Sequence, residues 1–235
     1  MLLLPLAMAT TPDVPAVTMT VAPASERVQL GSRVDVAVVL DVPDGWHIYW
    51  ENPGQSGLAT DVRLTTRPGV IGPVWPAPTR FTADGLTSYG YSGRTGFVFV
   101  VFTDRPGPLV LDAAATWLLC RDICIRGEGA ARAALTVAGE APPPPVSSYR
   151  SRLPKPFTGK HTLGSTLNLR LPGPGPFDVF PSVPLEGVWA PSWHEEAGVL
   201  VLDATFNAPI PPDARLVITR GDQAFTLTLD PSEPR

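Results

Sequence analysis

Arg33-Val-Asp-Val-Ala-Val-Val-Leu40 decides the fold class. Val34, Val36, Val38 and Leu40 fall on one side of an extended chain, with Asp35 and Ala37 on the other. That period of two is the signature of a strand with one buried face. Val17 to Val21 alternates in the same way. Moving outward, Pro43-Asp-Gly45 reads as a turn and Trp46-His-Ile-Tyr-Trp50 as an aromatic strand. Asn52-Pro-Gly-Gln-Ser-Gly57 is a loop of turn formers, and Asp61 to Thr65 another strand. Pro73-Val-Trp-Pro-Ala-Pro78 is too dense in proline for a central strand and predicts a loop or a sheet edge. Gly96-Phe-Val-Phe-Val-Val-Phe102 is wholly apolar, and Pro106-Gly-Pro108 stops it. Leu109 to Leu119 is the next long strand, and Ala130 to Val137 runs back. Seven or so short strands with turns between them predict an all-β fold, an antiparallel two-sheet sandwich of the immunoglobulin-like kind.

Composition agrees. The chain has 29 prolines and 21 glycines in 235 residues, a load incompatible with long helices. Hydrophobic residues make up 44% and charged residues 17%, enough for a sizeable core. A net charge of −4 with no basic stripe argues against nucleic acid as a partner. No apolar run approaches the ~20 residues of a membrane-spanning helix. Met1-Leu-Leu-Leu-Pro-Leu-Ala-Met-Ala9 is short and lacks a positive flank, but its A-x-A ending resembles the end of a secretory signal. Residues 1–13 are therefore read as a residual signal segment and 14–140 as the sandwich. Ala141-Pro-Pro-Pro-Pro145 opens a stiff linker over 141–160, with a helical turn expected in Ser147 to Leu153. Strand patterns at Thr166 to Leu171, Val199 to Phe206, Ala214 to Thr219 and Ala224 to Leu229 predict a second, smaller β lobe over 161–235. A lobe of that size buries only ~60% of its unfolded surface and is expected to lean on the first.

The only two cysteines lie in Trp117-Leu-Leu-Cys-Arg-Asp-Ile-Cys-Ile125, three residues apart at a strand end. Such a pair can form a disulfide, hold a metal, or exchange electrons. As a staple it would close a very small loop, contributing only ~2 kcal/mol against ~4.7 for a 100-residue loop. As half of a zinc site it lacks partners, because His47, His161 and His194 are scattered. Two soft thiolates could also take copper(I). A hairpin tip is reachable for exchange, yet it offers no helix dipole to lower a thiol pKa, and Asp122 offsets Arg121. No histidine and carboxylate constellation suggests a hydrolase.

Asp44-Gly-Trp-His-Ile-Tyr-Trp-Glu-Asn-Pro-Gly-Gln-Ser-Gly-Leu58, Val74-Trp-Pro-Ala-Pro78, Ser88-Tyr-Gly-Tyr-Ser-Gly93 and Cys120-Arg-Asp-Ile-Cys-Ile125 together resemble the N-terminal periplasmic domain of the DsbD/ScsB thiol:disulfide interchange proteins. The likeness runs from about Val14 to Val137, and the three-residue spacing favours the ScsB branch. It implies that Cys120 and Cys124 are a redox pair and that the protein works in the periplasm as a protein-disulfide reductase or interchange component. It implies electrons arriving from a thioredoxin-like donor and leaving to oxidised envelope proteins, with no cofactor and no resident metal. It also implies a cap over the cysteines around Leu86 to Tyr91, with Tyr89 and Tyr91 in it and His47 and Tyr49 as wall residues; all four are equally explained as packing. No multi-span membrane segment or thioredoxin-like domain follows before Arg235. The expectation is a standalone paralogue using a membrane electron transporter in trans, or a fragment. The alternatives are a non-redox binding module with a structural disulfide, and a copper(I) protein, since the ScsB branch is associated with copper tolerance.

Overall fold

The computed structural model describes residues 15–171, 176–184, 189–197, 199–207, 209–211 and 213–229. The expected signal segment, 1–13, lies outside them. Among the described residues there is no α-helix, and none is long and apolar enough to cross a membrane.

The first lobe runs through β1 (Thr18–Pro23), β2 (Arg27–Gln29), β3 (Arg33–Asp41), β4 (Ile48–Gly54), β5 (Asp61–Thr65), β6 (Val70–Val74), β7 (Thr79–Ala83), β8 (Leu86–Tyr91), β9 (Arg94–Phe102), β10 (Gly107–Cys120) and β11 (Cys124–Ala138). Two four-stranded sheets, β1-β3-β9-β6 and β2-β11-β10-β5, form the immunoglobulin-like sandwich. The alternation that decided the fold class is realised in β3, where Val34, Val36, Val38 and Leu40 are fully buried. They meet Phe97, Phe99 and Val101 of β9 and Leu111 of β10 in one apolar cluster. Each such side chain contributes about 1.5–3 kcal/mol on burial. β6 carries Pro73 and lies at a sheet edge, where its ladder with β9 shifts register between Ile71 and Val74, so the missing N–H costs no ladder bond.

A third sheet is β4-β8-β7; of it the sequence reading has the aromatic strand that becomes β4 and lacks the β7–β8 hairpin. The segment expected to cap the cysteines, Leu86 to Tyr91, is strand β8 at the centre of this sheet. A two-residue turn joins β7 to β8. Its residues Asp84 and Gly85 both have positive φ, 52° and 77°, the primed turn that suits the twist of a hairpin. The predicted Asn52–Gly57 loop begins later than expected, since β4 continues to Gly54.

The linker is anchored. Arg150, in the short 3₁₀ turn Arg150–Arg152, donates from Nε to the Asp35 carboxylate at 2.6 Å. Tyr149 covers Gly96 so closely that a Cβ there would overlap its ring.

The second lobe contains β12 (Lys155–Pro156), β13 (His161–Leu163), β14 (Thr166–Leu171), β15 (Asp178–Pro181), β16 (Trp189–Glu196), β17 (Val199–Phe206), β18 (Arg215–Arg220) and β19 (Gln223–Thr228). Its sheets are β12-β19-β18-β15 and β13-β14-β17-β16. β12 falls within the stretch read as linker. Leu167, Leu169, Leu171, Leu202, Leu216 and Ile218 centre a separate core. Phe180 and Val217 instead join the core of the first lobe. Around them Asn52 Nδ2 donates to the Pro181 carbonyl at 2.8 Å, and Arg215 pairs with Glu51 at 2.6 Å. Arg80 bonds Asp178 and lies over the rings of Tyr89 and Phe180.

Candidate functional site

β10 and β11 form one long hairpin, and Cys120 and Cys124 are its last cross-strand pair. They are joined as a disulfide with Cα atoms 4.1 Å apart. Arg121, Asp122 and Ile123 make the tip, closed by the Arg121 N–H donating to the Ile123 carbonyl at 3.0 Å. The two sulfur-bearing residues differ sharply in environment. Cys120 is 1% exposed, whereas Cys124 is open to solvent and Ile123 beside it is 64% exposed.

Cys120 is held from the other side by His47. The His47 N–H donates to the Cys120 carbonyl at 3.0 Å and the Cys120 N–H to the His47 carbonyl at 2.9 Å. This mutual bonding makes them an opposed antiparallel pair, whose side chains share a face of the sheet. His47, Cys120 and Cys124 thus stand in a row across three strands. The His47 ring stacks on Phe81, with centroids 4.4 Å apart, and meets Tyr49 edge-on at 5.2 Å. Burial pushes the His47 imidazole pKa down and the Tyr49 phenol pKa up, the latter opposed by a hydrogen bond with Ser56. Gly57, at φ 96°, presses on Tyr49 so closely that a Cβ would overlap the ring. The glycine in the Asn-Pro-Gly-Gln-Ser-Gly motif is thereby required twice, for its φ and for the contact.

Behind the tip, Arg121 lies 4.8 Å over the Trp46 ring and forms an ion pair with Asp122 at 3.0 Å. Trp117 lies across Gly127 and Gly129, where a Cβ would meet the indole.

The four expected cap and wall residues divide between two faces of the β4-β8-β7 sheet. His47 and Tyr49 belong to the disulfide side, together with Gly90, which opposes Tyr49. Gly90 approaches β4 so closely that a Cβ would overlap the Ile48 carbonyl oxygen. Tyr89 and Tyr91 alternate to the other face. Tyr89 packs on Phe180 at 5.3 Å and on Trp50 at 6.4 Å, at the junction with the second lobe. Tyr91 donates from its hydroxyl to the Pro76 carbonyl at 2.8 Å and stands edge-on to Phe97. Burial, with the Glu51 charge adding to it, pushes the Tyr91 pKa well up. Phe81, next to the disulfide through His47, was not foreseen. The Asp84-Gly85 dipeptide between two strand-like runs was the signal for the hairpin that carries it. Among the described residues no group of three or more His, Cys, Asp or Glu side chains is placed to hold a metal ion.

Comparison with known proteins agrees with this geometry. A search of curated proteins finds no match. Among solved structures, the N-terminal periplasmic domain of ScsB from Proteus mirabilis is similar, at 18% identity and a TM-score of 0.64, over 94% of this chain and 95% of that one; at this identity the likeness speaks for the fold. A marsupial T cell receptor is also found, at 13% identity, over 96% of this chain and all of that one, but its TM-score of 0.23 carries no argument. The family described as thiol:disulfide interchange protein DsbD, N-terminal, matches residues 18–135. That stretch spans half of the chain and contains the sandwich up to Leu135 in β11, the β4-β8-β7 layer and the disulfide, and the chain therefore belongs to the DsbD N-terminal family of thiol:disulfide interchange proteins.

Proposed function

We propose that this protein is a periplasmic thiol–disulfide exchange module that takes two electrons from a thioredoxin-like donor and passes them to oxidised envelope proteins. The observation that carries the reading is the unequal exposure of the pair, 1% for Cys120 and open for Cys124. A structural staple gains nothing from leaving one sulfur at the surface, whereas exchange needs one reachable sulfur. In the oxidised form a donor thiolate attacks Cys124 Sγ, the bond to Cys120 breaks, and Cys120 leaves as a thiolate. A second donor thiol then releases the reduced pair. In the forward step the Cys124 thiolate attacks the substrate disulfide, and Cys120 displaces the reduced substrate from the mixed disulfide. His47, Tyr49 and Phe81 wall off the Cys120 side. Tyr89 and Tyr91 support that wall from the opposite face of the sheet.

The test is to trap the intermediate. Cys120→Ser, with Cys124 carried as a mixed disulfide with an aromatic thiol, is expected to form a covalent complex cleaved by dithiothreitol when mixed with a reduced thioredoxin-like protein whose second cysteine is replaced by serine, the partner thiolate attacking Cys124 Sγ and the aromatic thiolate leaving. If neither single cysteine variant traps a partner and the wild-type disulfide resists dithiol reductants, the exchange reading is wrong.

A further inference from the structure

Any partner that exchanges at Cys124 has its own cysteine pinned there by a covalent bond, so its flanking residues must cross the surface beside the hairpin tip. The two directions differ. Toward β4 the surface is closed by the stacked His47 and Phe81 rings. Down the hairpin it opens into a cleft of about 400 Å³ lined by Leu58, Thr116, Trp117, Arg126, Gly127 and Glu128. Ladder register fixes its distance. The pair Trp117 and Gly127 lies three rungs from Cys120 and Cys124, or about 10 Å at a rise of about 3.4 Å per residue. Arg126 and Glu128 project to the same side of β11 as Cys124, two and four residues along, and both are exposed.

The cleft has an apolar rim. Leu58 is 46% exposed at its rim, on the loop whose Gly57 is wedged against Tyr49. The Trp117 indole turns the other way, into the core, where the missing side chains at Gly127 and Gly129 leave room for it, so the outward face of the hairpin here carries Thr116, Arg126 and Glu128. Arg126 and Glu128, of opposite sign, line the cleft beside the rim without imposing a net charge.

We infer that this cleft is a substrate subsite, which accepts an apolar side chain carried two to four residues from the reactive cysteine of an extended partner segment. The inference rests on the exchange function proposed above and adds specificity to it. An extended chain advances about 3.3 Å per residue, and side chains two and four positions from the cysteine point the same way as the sulfur. Leu58 is the specificity-determining residue, and it takes no part in the sulfur chemistry.

The probes are pentapeptide amides with cysteine at one end and leucines at the second and fourth positions from it, glycines elsewhere, in both chain directions. Each cysteine carries glutathione as a mixed disulfide, and matched peptides carry serine for leucine. The protein, reduced beforehand with dithiothreitol and freed of it, supplies two thiols. Cys124 attacks the peptide sulfur and glutathione leaves as a thiolate. Cys120 then closes the protein disulfide and releases the peptide thiol, so two electrons reduce one disulfide.

In one chain direction the leucine peptide is expected to react at least about tenfold faster than its serine partner, the discrimination that an apolar pocket typically gives. Leu58→Ser is expected to abolish that ratio while leaving reduction of oxidised glutathione unchanged. Equal rates for leucine and serine peptides in both directions overturn the subsite, as does a ratio that survives Leu58→Ser. If oxidised glutathione is not reduced either, it is the exchange function that fails.

Discussion

The two cysteines are predicted to differ by about two orders of magnitude in reactivity once each is left alone. Cys120→Ser leaves the exposed Cys124 thiol, and Cys124→Ser leaves Cys120 at 1% exposure. For Cys120 to be attacked, its edge of β10 must open away from His47. That breaks two backbone hydrogen bonds of 2.9 and 3.0 Å, at about 1 kcal/mol each. It also separates the His47–Phe81 stack, 4.4 Å between centroids, at about 0.5–1.5 kcal/mol. The total is about 2.5–3.5 kcal/mol, and at about 1.4 kcal/mol per factor of ten the buried thiol reacts roughly 100-fold more slowly. The assay is pseudo-first-order reaction with an excess of an aromatic disulfide, followed by absorbance of the released thiolate at a fixed pH. Rates are compared with those after unfolding in urea, where the two variants must converge. A rate ratio near one in the folded state, or faster reaction of Cys120, would refute the assignment of Cys124 as the attacked sulfur.

Gly90→Ala places a Cβ against the Ile48 carbonyl, which is backbone and cannot swing aside; a loss of about 1–3 kcal/mol is expected in urea unfolding. Arg80→Ala removes a partly exposed ion pair with Asp178 and two cation–π contacts; a double-mutant cycle with Asp178→Ala should give a coupling of about 0.2–1 kcal/mol, and a coupling of zero would dismiss the pair as a clamp. His47 has a folded pKa below its unfolded value of about 6.5, so the unfolded chain binds the extra proton. Its contribution is complete above about pH 6.5 and is lost as pH falls through the lower folded value. His47→Phe, keeping a ring for Phe81 to stack on, is expected to flatten that acid limb of the stability curve, and an unchanged limb would show that other groups cause it.

The strands that the sequence makes legible are those whose large apolar residues recur at every second position. Arg33 to Leu40 needs no partner to be read, because valine alternates with Asp35 and Ala37; the same holds for Asp61 to Thr65, Thr166 to Leu171 and Val199 to Phe206. β7 and β8 are harder. β7 is mostly exposed, with only Phe81 half-buried, while in β8 Tyr89 and Tyr91 serve one side and Gly90 the other, so neither strand shows a binary pattern. The disulfide pair was visible as a pair, since three intervening residues are enough to suggest a hairpin tip. Its asymmetry was not visible. It is created by His47, 73 positions away in the chain and bonded to only one of the two residues. Phe81, Arg80 and Asn52 act through contacts with distant segments, for which one sequence carries no signal. The glycines are an intermediate case. Gly57 and Gly90 stand in quotable motifs, but the reason for each is a ring or a carbonyl that only the folded chain brings near.

The limits of the family stretch bear on how this module can be inherited. The match closes at Leu135, one residue before β11 begins its parallel ladder with β2, where Thr136, Val137 and Ala138 oppose Arg27, Val28 and Gln29. Beyond that rung, Arg150 secures Asp35, and Phe180 and Val217 complete the first core. A gene fusion or excision cut at the recognised border would therefore transplant the redox hairpin without its seam. It would leave an open strand edge and the bare rings of Trp50 and Tyr89 on the new surface. The portable unit is longer than the recognisable one, and recombination that respects it must carry the second lobe along.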